Sequence, residues 1–222
     1  MIRHKSISKT IAIGLGAAIG VAAMASSAQA LTDEGKLQRG GLLYDWYYKI
    51  TEGDVPGDTH PAMPEAAGQT GKKTWRCVNC HGYSYTGDVG VKGIMGASGK
   101  SPADVIAILK NDTHKYTDAI FNQTDFESLG LFVSKGLIDV AGAKGDAAKG
   151  QGYFETICAV CHGKDGKKIT DMPPVGAVVN ELPDRALHRI RFSKPGVDMP
   201  GMSALPADVA IDIWEYTKTL PK

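Results

Sequence analysis

The pentapeptide Cys158-Ala159-Val160-Cys161-His162 and its twin Cys77-Val78-Asn79-Cys80-His81 decide how the rest of the chain is read. In a C-x-x-C-H segment two thiols one helical turn apart can each add across a vinyl group of haem, and the next residue offers imidazole to the iron. The chain holds 4 Cys, and these two segments contain all of them. Other uses of the motif fit poorly. Zinc sites built from paired C-x-x-C segments space the pairs by about 15–20 residues, whereas Cys80 and Cys158 stand 78 positions apart. A thioredoxin-like dithiol belongs in a βαβ setting, and neither segment follows a Val/Ile-rich strand. Two covalently bound haem c groups are therefore expected, one on Cys77 and Cys80 with His81 on its iron, the other on Cys158 and Cys161 with His162.

The 222 residues, 43% hydrophobic and 22% charged, have room for one or two folded domains and carry no sign of disorder. Residues 1–30 read as a secretory signal peptide, with Arg3, Lys5 and Lys9, an apolar run from Ile11 to Ala25, and a cleavage site at Ala28-Gln29-Ala30. The run is shorter than the roughly 20 residues a membrane helix needs, and no Cys follows the site to take a lipid. The expectation is a periplasmic chain with no stable membrane anchor after cleavage, which suits thioether chemistry performed on exported proteins. Removing that segment takes Lys+Arg from 25 to 22 against 24 Asp+Glu. Such a balance gives no basic field for nucleic acid.

The remaining chain reads as one small helical unit used twice. In the later copy Gly150-Gln151-Gly152-Tyr153-Phe154 leads into Cys158, and the loop Met172-Pro173-Pro174-Val175-Gly176 follows the motif. A helical run from Asp184 to Phe192 comes next, then Lys194 to Pro200, and a closing helix from about Pro206 to Lys218. In the earlier copy Gly40-Gly41-Leu42-Leu43-Tyr44 matches the opening, Ser101-Pro102-Ala103-Asp104 caps a run to Lys110, and Thr124-Asp125-Phe126 matches Ala207-Asp208-Val209. Gly40 precedes Cys77 by 37 positions but Gly150 precedes Cys158 by 8, so the earlier copy carries 29 extra residues. That insertion, about residues 50–74, holds Pro56, Pro61 and Pro64 and is expected to be a loop over the first haem's edge or against a partner.

Both copies resemble class I c-type cytochrome domains, and the chain is similar to the tandem dihaem cytochromes c of the bacterial periplasm. The resemblance implies an all-α fold of two cytochrome c-like helical domains in tandem: residues 31–137, a linker at 138–145, and residues 146–222. It also implies that the first and last helices of each unit cross, Gly150 and Phe154 meeting Trp214 or Tyr216. Scarce strand-like alternation and frequent helix caps point to all-α independently.

The sixth iron ligand separates electron transfer from chemistry. In the later copy it is expected to be Met199, 37 positions after His162 in a Met-Pro step that resembles the family's distal-ligand motif. Met202 and Met172 are nearby methionines. In the earlier copy the corresponding stretch, Asn111-Asp112-Thr113-His114-Lys115-Tyr116, offers His114. His60 in the insertion and Met95 in the loop after the motif are rivals, Met95 being expected in the core. His188, among Arg185, Arg189 and Arg191, is expected to be solvated.

Closed coordination at both irons implies an electron carrier rather than an enzyme, taking single electrons from one redox protein and passing them to another. A His/His first haem should lie below a His/Met second haem in potential. Lys72, Lys73 and Arg76 beside the first motif form either a docking patch for an acidic partner or a solvated face. Two other functions remain open: a haem enzyme with an exchangeable axial position, of peroxidase or thiosulfate-oxidising type, and the electron-accepting subunit of a dehydrogenase.

Overall fold

A computed structural model describes residues 31–222; the expected signal peptide lies outside the described residues. Those residues form one compact unit of helices and irregular loops without a strand, the all-α fold expected.

Helix α1 (Asp33–Trp46) starts where the Thr32 hydroxyl accepts the Gly35 N–H at 3.2 Å, with Asp33 and Glu34 in the first turn against the helix dipole. Its partner α4 (Gln123–Leu131) starts at a capping box between Asn122 and Asp125. The two cross at Gly40, where a Cβ would run into the Ser128 carbonyl. The later half repeats this arrangement. Helix α5 (Ala147–Tyr153) meets α9 (Ala207–Thr217) at Gly150, where a Cβ would strike the Asp212 carbonyl, and the Phe154 and Tyr216 rings lie 5.5 Å apart. Of the two aromatic partners expected there, Tyr216 meets Phe154 with its ring tilted by 55°, while the Trp214 indole donates to the Pro183 carbonyl.

Between these crossings lie shorter elements. Helix α2 (Cys77–His81) and helix α6 (Ala159–His162) are the two motifs, each barely more than a turn. Each ends on a glycine with positive φ, Gly82 at 71° and Gly163 at 75°, which turns the chain away directly after the histidine. Helix α3 (Pro102–Leu109) has Ser101 as its cap and Pro102 in its first turn. Helices α7 (Val175–Glu181) and α8 (Pro183–Phe192) fill the region before Met199. Helix α7 begins at Val175 and Gly176, inside the expected loop, and continues through residues for which the sequence indicates no element, being too short to show a helical period.

Apolar side chains gather in two clusters. One surrounds Leu43, Tyr44, Tyr47, Phe121, Phe126 and Phe132; the other surrounds Phe154, Leu187, Val209, Ile213 and Trp214. Phe192, at the end of α8, belongs to the first, because its ring occupies the space where Gly41 lacks a side chain. Val140, in the irregular stretch 138–145, packs into the second.

Helix α8 carries the clearest departure from the sequence reading. His188 is buried rather than solvated: its Nδ1 accepts from the Tyr85 hydroxyl at 2.6 Å, and its Nε2 donates to the Gly41 carbonyl at 3.1 Å. Its neighbour Arg189 pairs at 3.0 Å with Asp45 of α1, a fully buried carboxylate that also binds Arg76 at 2.9 Å and accepts from Tyr83 at 2.6 Å. The basic residues of α8 had implied a water-facing side, but α1 receives two of them, His188 at the Gly41 carbonyl and Arg189 at Asp45, while Arg191 turns to the carbonyls of Met202 and Leu205.

Candidate haem sites

The earlier motif opens onto an apolar slot. Helix α2 puts Cys77 and Cys80 on one side, and the slot that they and His81 line is walled by Val91, Ile94, Val105, Leu109, Leu129 and Val133. His114 lines the same slot from the loop after α3. The four residues expected at the first site are thus brought together. The His81 and His114 rings have centroids 6.2 Å apart and planes 30° apart. An iron bonded at about 2 Å to one nitrogen of each ring would set the ring centres about 6 Å apart.

The orientation of both rings has a local cause. The Nδ1 of His81 lies 2.7 Å from the Lys92 carbonyl, which can only accept, so Nδ1 carries the proton and Nε2 keeps its lone pair. The Nδ1 of His114 lies 3.3 Å from the Asn111 side-chain oxygen, which also accepts the His114 backbone N–H at 3.0 Å. Both therefore present Nε2. Burial lowers the pKa of each ring, and for His114 the neighbouring His81 and His60 add to the effect, favouring the neutral form that binds metal.

The thiols match the same group. Burial pushes Cys77 up to about 12, and the Tyr116 hydroxyl, which donates to the Trp75 carbonyl at 2.6 Å, stands 4.0 Å from its sulfur. Neither motif closes into a disulfide. An apolar slot, a paired thiol edge and two neutral imidazoles form the donor set that haem c requires, so the residues present fit it.

The rivals at this site fall elsewhere. Met95 packs at the edge of the first cluster, as expected, and does not line the slot. His60 does line it, but both ring nitrogens are engaged: Nδ1 accepts from the Ala62 N–H at 3.1 Å, and Nε2 donates to the His114 carbonyl at 2.9 Å. Arg76, expected in a possible docking patch, turns inward to Asp45 and lies over the Trp46 ring, while Lys72 and Lys73 remain exposed.

The later motif is more open. Cys158 closes a π-helical turn from Phe154, Cys161 is exposed, and Val160 is 68% exposed. Burial lowers the pKa of His162, and its Nδ1 is buried without a hydrogen-bond partner. Met199 is half-buried in the turn between α8 and α9. That turn is fastened to α8: the Ser193 hydroxyl donates to the Met199 carbonyl, and Arg191 donates to the carbonyls of Met202 and Leu205. Met202 is buried in the second cluster and Met172 is half-buried.

Sequence reasoning missed Asp45 and the role of His60. Asp45 is a lone acid inside the aromatic run Tyr44 to Tyr48, and a charge so placed signals a buried partner. His60 had no comparable mark, since its partner is a backbone atom 54 residues away.

Residues 147–205 match the family model for cytochrome c, a span that runs from α5 past Met199 and includes Cys158, Cys161 and His162. This part of the chain is a cytochrome c domain, and such a domain implies covalently bound haem c and a role in electron transfer. The chain is similar to the Cbb3-type cytochrome c oxidase subunit CcoP of Cereibacter sphaeroides, 26% identical over 130 residues, covering 50% of this chain and 45% of that protein. The match therefore spans about half the length of either. Among the described residues no helix is long and apolar enough to cross a membrane.

Proposed function

We propose that the chain is a periplasmic dihaem cytochrome c that carries electrons between redox proteins and performs no substrate chemistry. The observation that carries this reading is the convergence of Cys77, Cys80, His81 and His114 on one apolar slot, with the two imidazoles 6.2 Å apart. When bound, each haem supplies a one-electron iron couple. The chain supplies the insulation and ligands that tune it. At the first site His81 and His114 would hold the haem iron and leave no position for a substrate. At the second, His162 and the Met199 sulfur would hold it, and a soft neutral thioether would favour the reduced form and raise the potential. The second haem would then be the more easily reduced of the two.

Likeness to an oxidase subunit supports a place in an electron-transfer chain. The second motif is the proposed point of contact with partners, because the exposed Val160 is flanked by exposed Lys164, Lys167 and Lys168. An acidic surface with an apolar centre would complement it.

Mass spectrometry of the processed protein tests the haem count directly, the expected result being two attached macrocycles. Near-infrared and EPR spectra of the oxidised protein test the ligands. A sulfur-to-iron charge-transfer band should disappear in Met199→Leu, and a bis-imidazole low-spin signal should disappear in His114→Ala. A single attached haem would refute the dihaem reading. Rapid carbon monoxide binding to the native reduced protein would replace the carrier with an enzyme having an exchangeable site.

A further inference from the structure

The insertion before the first motif is tied to the loop that presents His114. Its start runs beside residues 119 and 120: the Asp54 N–H donates to the Ala119 carbonyl at 2.8 Å, and the Thr51 hydroxyl donates to Asp125 at 3.0 Å. Its middle is fixed to the motif side, where the His60 N–H donates to the Thr74 hydroxyl at 2.8 Å and the Trp75 indole donates to the Asp58 carbonyl at 3.0 Å. The His60 ring sits edge-on to Trp75, with centroids 4.4 Å apart, and is 6% exposed. From that position Nε2 donates to the His114 carbonyl. Since Nδ1 accepts the Ala62 N–H, the tautomer is set and the donor points permanently at the loop.

The loop needs such a support. Lys115, directly after His114, has a φ of 57°, a left-handed conformation costly for a side chain of this kind. On the other side, the Asn111 side chain holds the His114 N–H and ring. The His114 carbonyl is left to the insertion.

We propose that His60 is a positioning residue, and that the insertion is a brace which keeps His114 in place and closes the first iron to external ligands. This rests on the reading of His114 as sixth ligand. An unbraced loop could swing its imidazole away and leave a position open, which would turn a carrier site into a reactive one.

The test uses the full, haem-loaded protein and measures the rate at which the ferric first haem captures cyanide and the ferrous first haem captures carbon monoxide, alongside the EPR signal. His60→Ala should raise both capture rates about tenfold, the scale on which losing one buried hydrogen bond shifts a closed-to-open equilibrium. His60→Gln, which keeps a donor at similar reach, should restore slow capture. Thr74→Val releases the His60 backbone and should give a smaller increase; it also provides the measurement if His60→Ala fails to load haem. A purely structural role would lower thermal stability in these variants without selective capture at the first haem, and capture rates equal to the native protein's would overturn the proposal.

His114→Ala separates this proposal from the ligand assignment. If His114→Ala loses the bis-imidazole signal while His60→Ala captures no faster, the brace fails and the ligand stands. If His60→Ala loses the signal and His114→Ala keeps it, His60 is itself the ligand and both readings fall.

Discussion

Acid should loosen the contact between α8 and α1 through a single ring. His188 is buried among Tyr44, Tyr83, Tyr85, Phe132 and Phe192, and this burial lowers its pKa from 6.5 to about 4, although the nearby Asp45 carboxylate and the Gly41 carbonyl oppose the shift. Above pH 6.5 the ring is neutral in both folded and unfolded chains and contributes no pH dependence. Below it the unfolded chain binds a proton that the folded chain refuses, so stability falls with pH until about 4, where the folded ring titrates too. For values of about 6.5 and about 4, the loss is roughly 2 kcal/mol at pH 5 and roughly 3 kcal/mol at pH 4. His188→Gln keeps a donor for Gly41 and removes the titration. Urea unfolding of the haem-loaded protein at pH 7, 6 and 5 should show the native chain losing about 2 kcal/mol more than the variant between pH 7 and pH 5. Asp45 does not confuse this window. Its burial is outweighed by Arg189 and Tyr83, so its carboxyl titrates below the ordinary range and its contribution is lost only under strongly acidic conditions. Parallel pH profiles for the two proteins would refute the assignment of His188 as a buried neutral ring.

Two further outcomes follow from packing and charge. Gly150→Ala should cost at least about 1–3 kcal/mol in thermal or urea unfolding, because its Cβ meets the Asp212 backbone; Gly152→Ala, on the same helix with open space around it, should gain about 0.5–1 kcal/mol. Asp45→Asn leaves Arg76 and Arg189 facing each other without an anion, and should cost about 3 kcal/mol or more at pH 7, measured by urea unfolding.

Helix ends were legible where local chemistry sets them, α7 excepted, while the crossings followed from the resemblance to cytochrome c domains. Ser101 followed by Pro102 starts α3 as the sequence predicts, and the glycines after the two motif histidines end α2 and α6. Four residues that line the first slot were singled out in the sequence, three in the motif itself and His114 through its place in the expected repeat. The insertion read correctly as loop, since its prolines and glycines prevent long helices, and it contains only short 3₁₀ turns at 65–67 and 71–75. Its grip on His114 was not legible, because the bond that makes it ends on a backbone carbonyl, and backbone atoms leave no trace in residue type.

Comparing one copy with the other also hides what only one of them does. Gly40 and Gly150 match because both crossings need a residue without a side chain. The next pair, Gly41 and Gln151, does not match: Gln151 is exposed and bonds to Glu155 on the surface, whereas Gly41 lies against Phe192 and offers its carbonyl to His188. Glycine at position 41 weakens the helix by roughly 1 kcal/mol relative to alanine, a cost that makes sense only where another element comes within contact distance of the backbone. Gly41 and Asp45 lie one turn apart, and both meet α8, Gly41 through Phe192 and His188 and Asp45 through Arg189. One face of α1 therefore makes the crossing with α4, and another makes the contact with α8. The departures from the expected repeat in α1, Gly41 and Asp45, rather than the matches, mark where it meets α8.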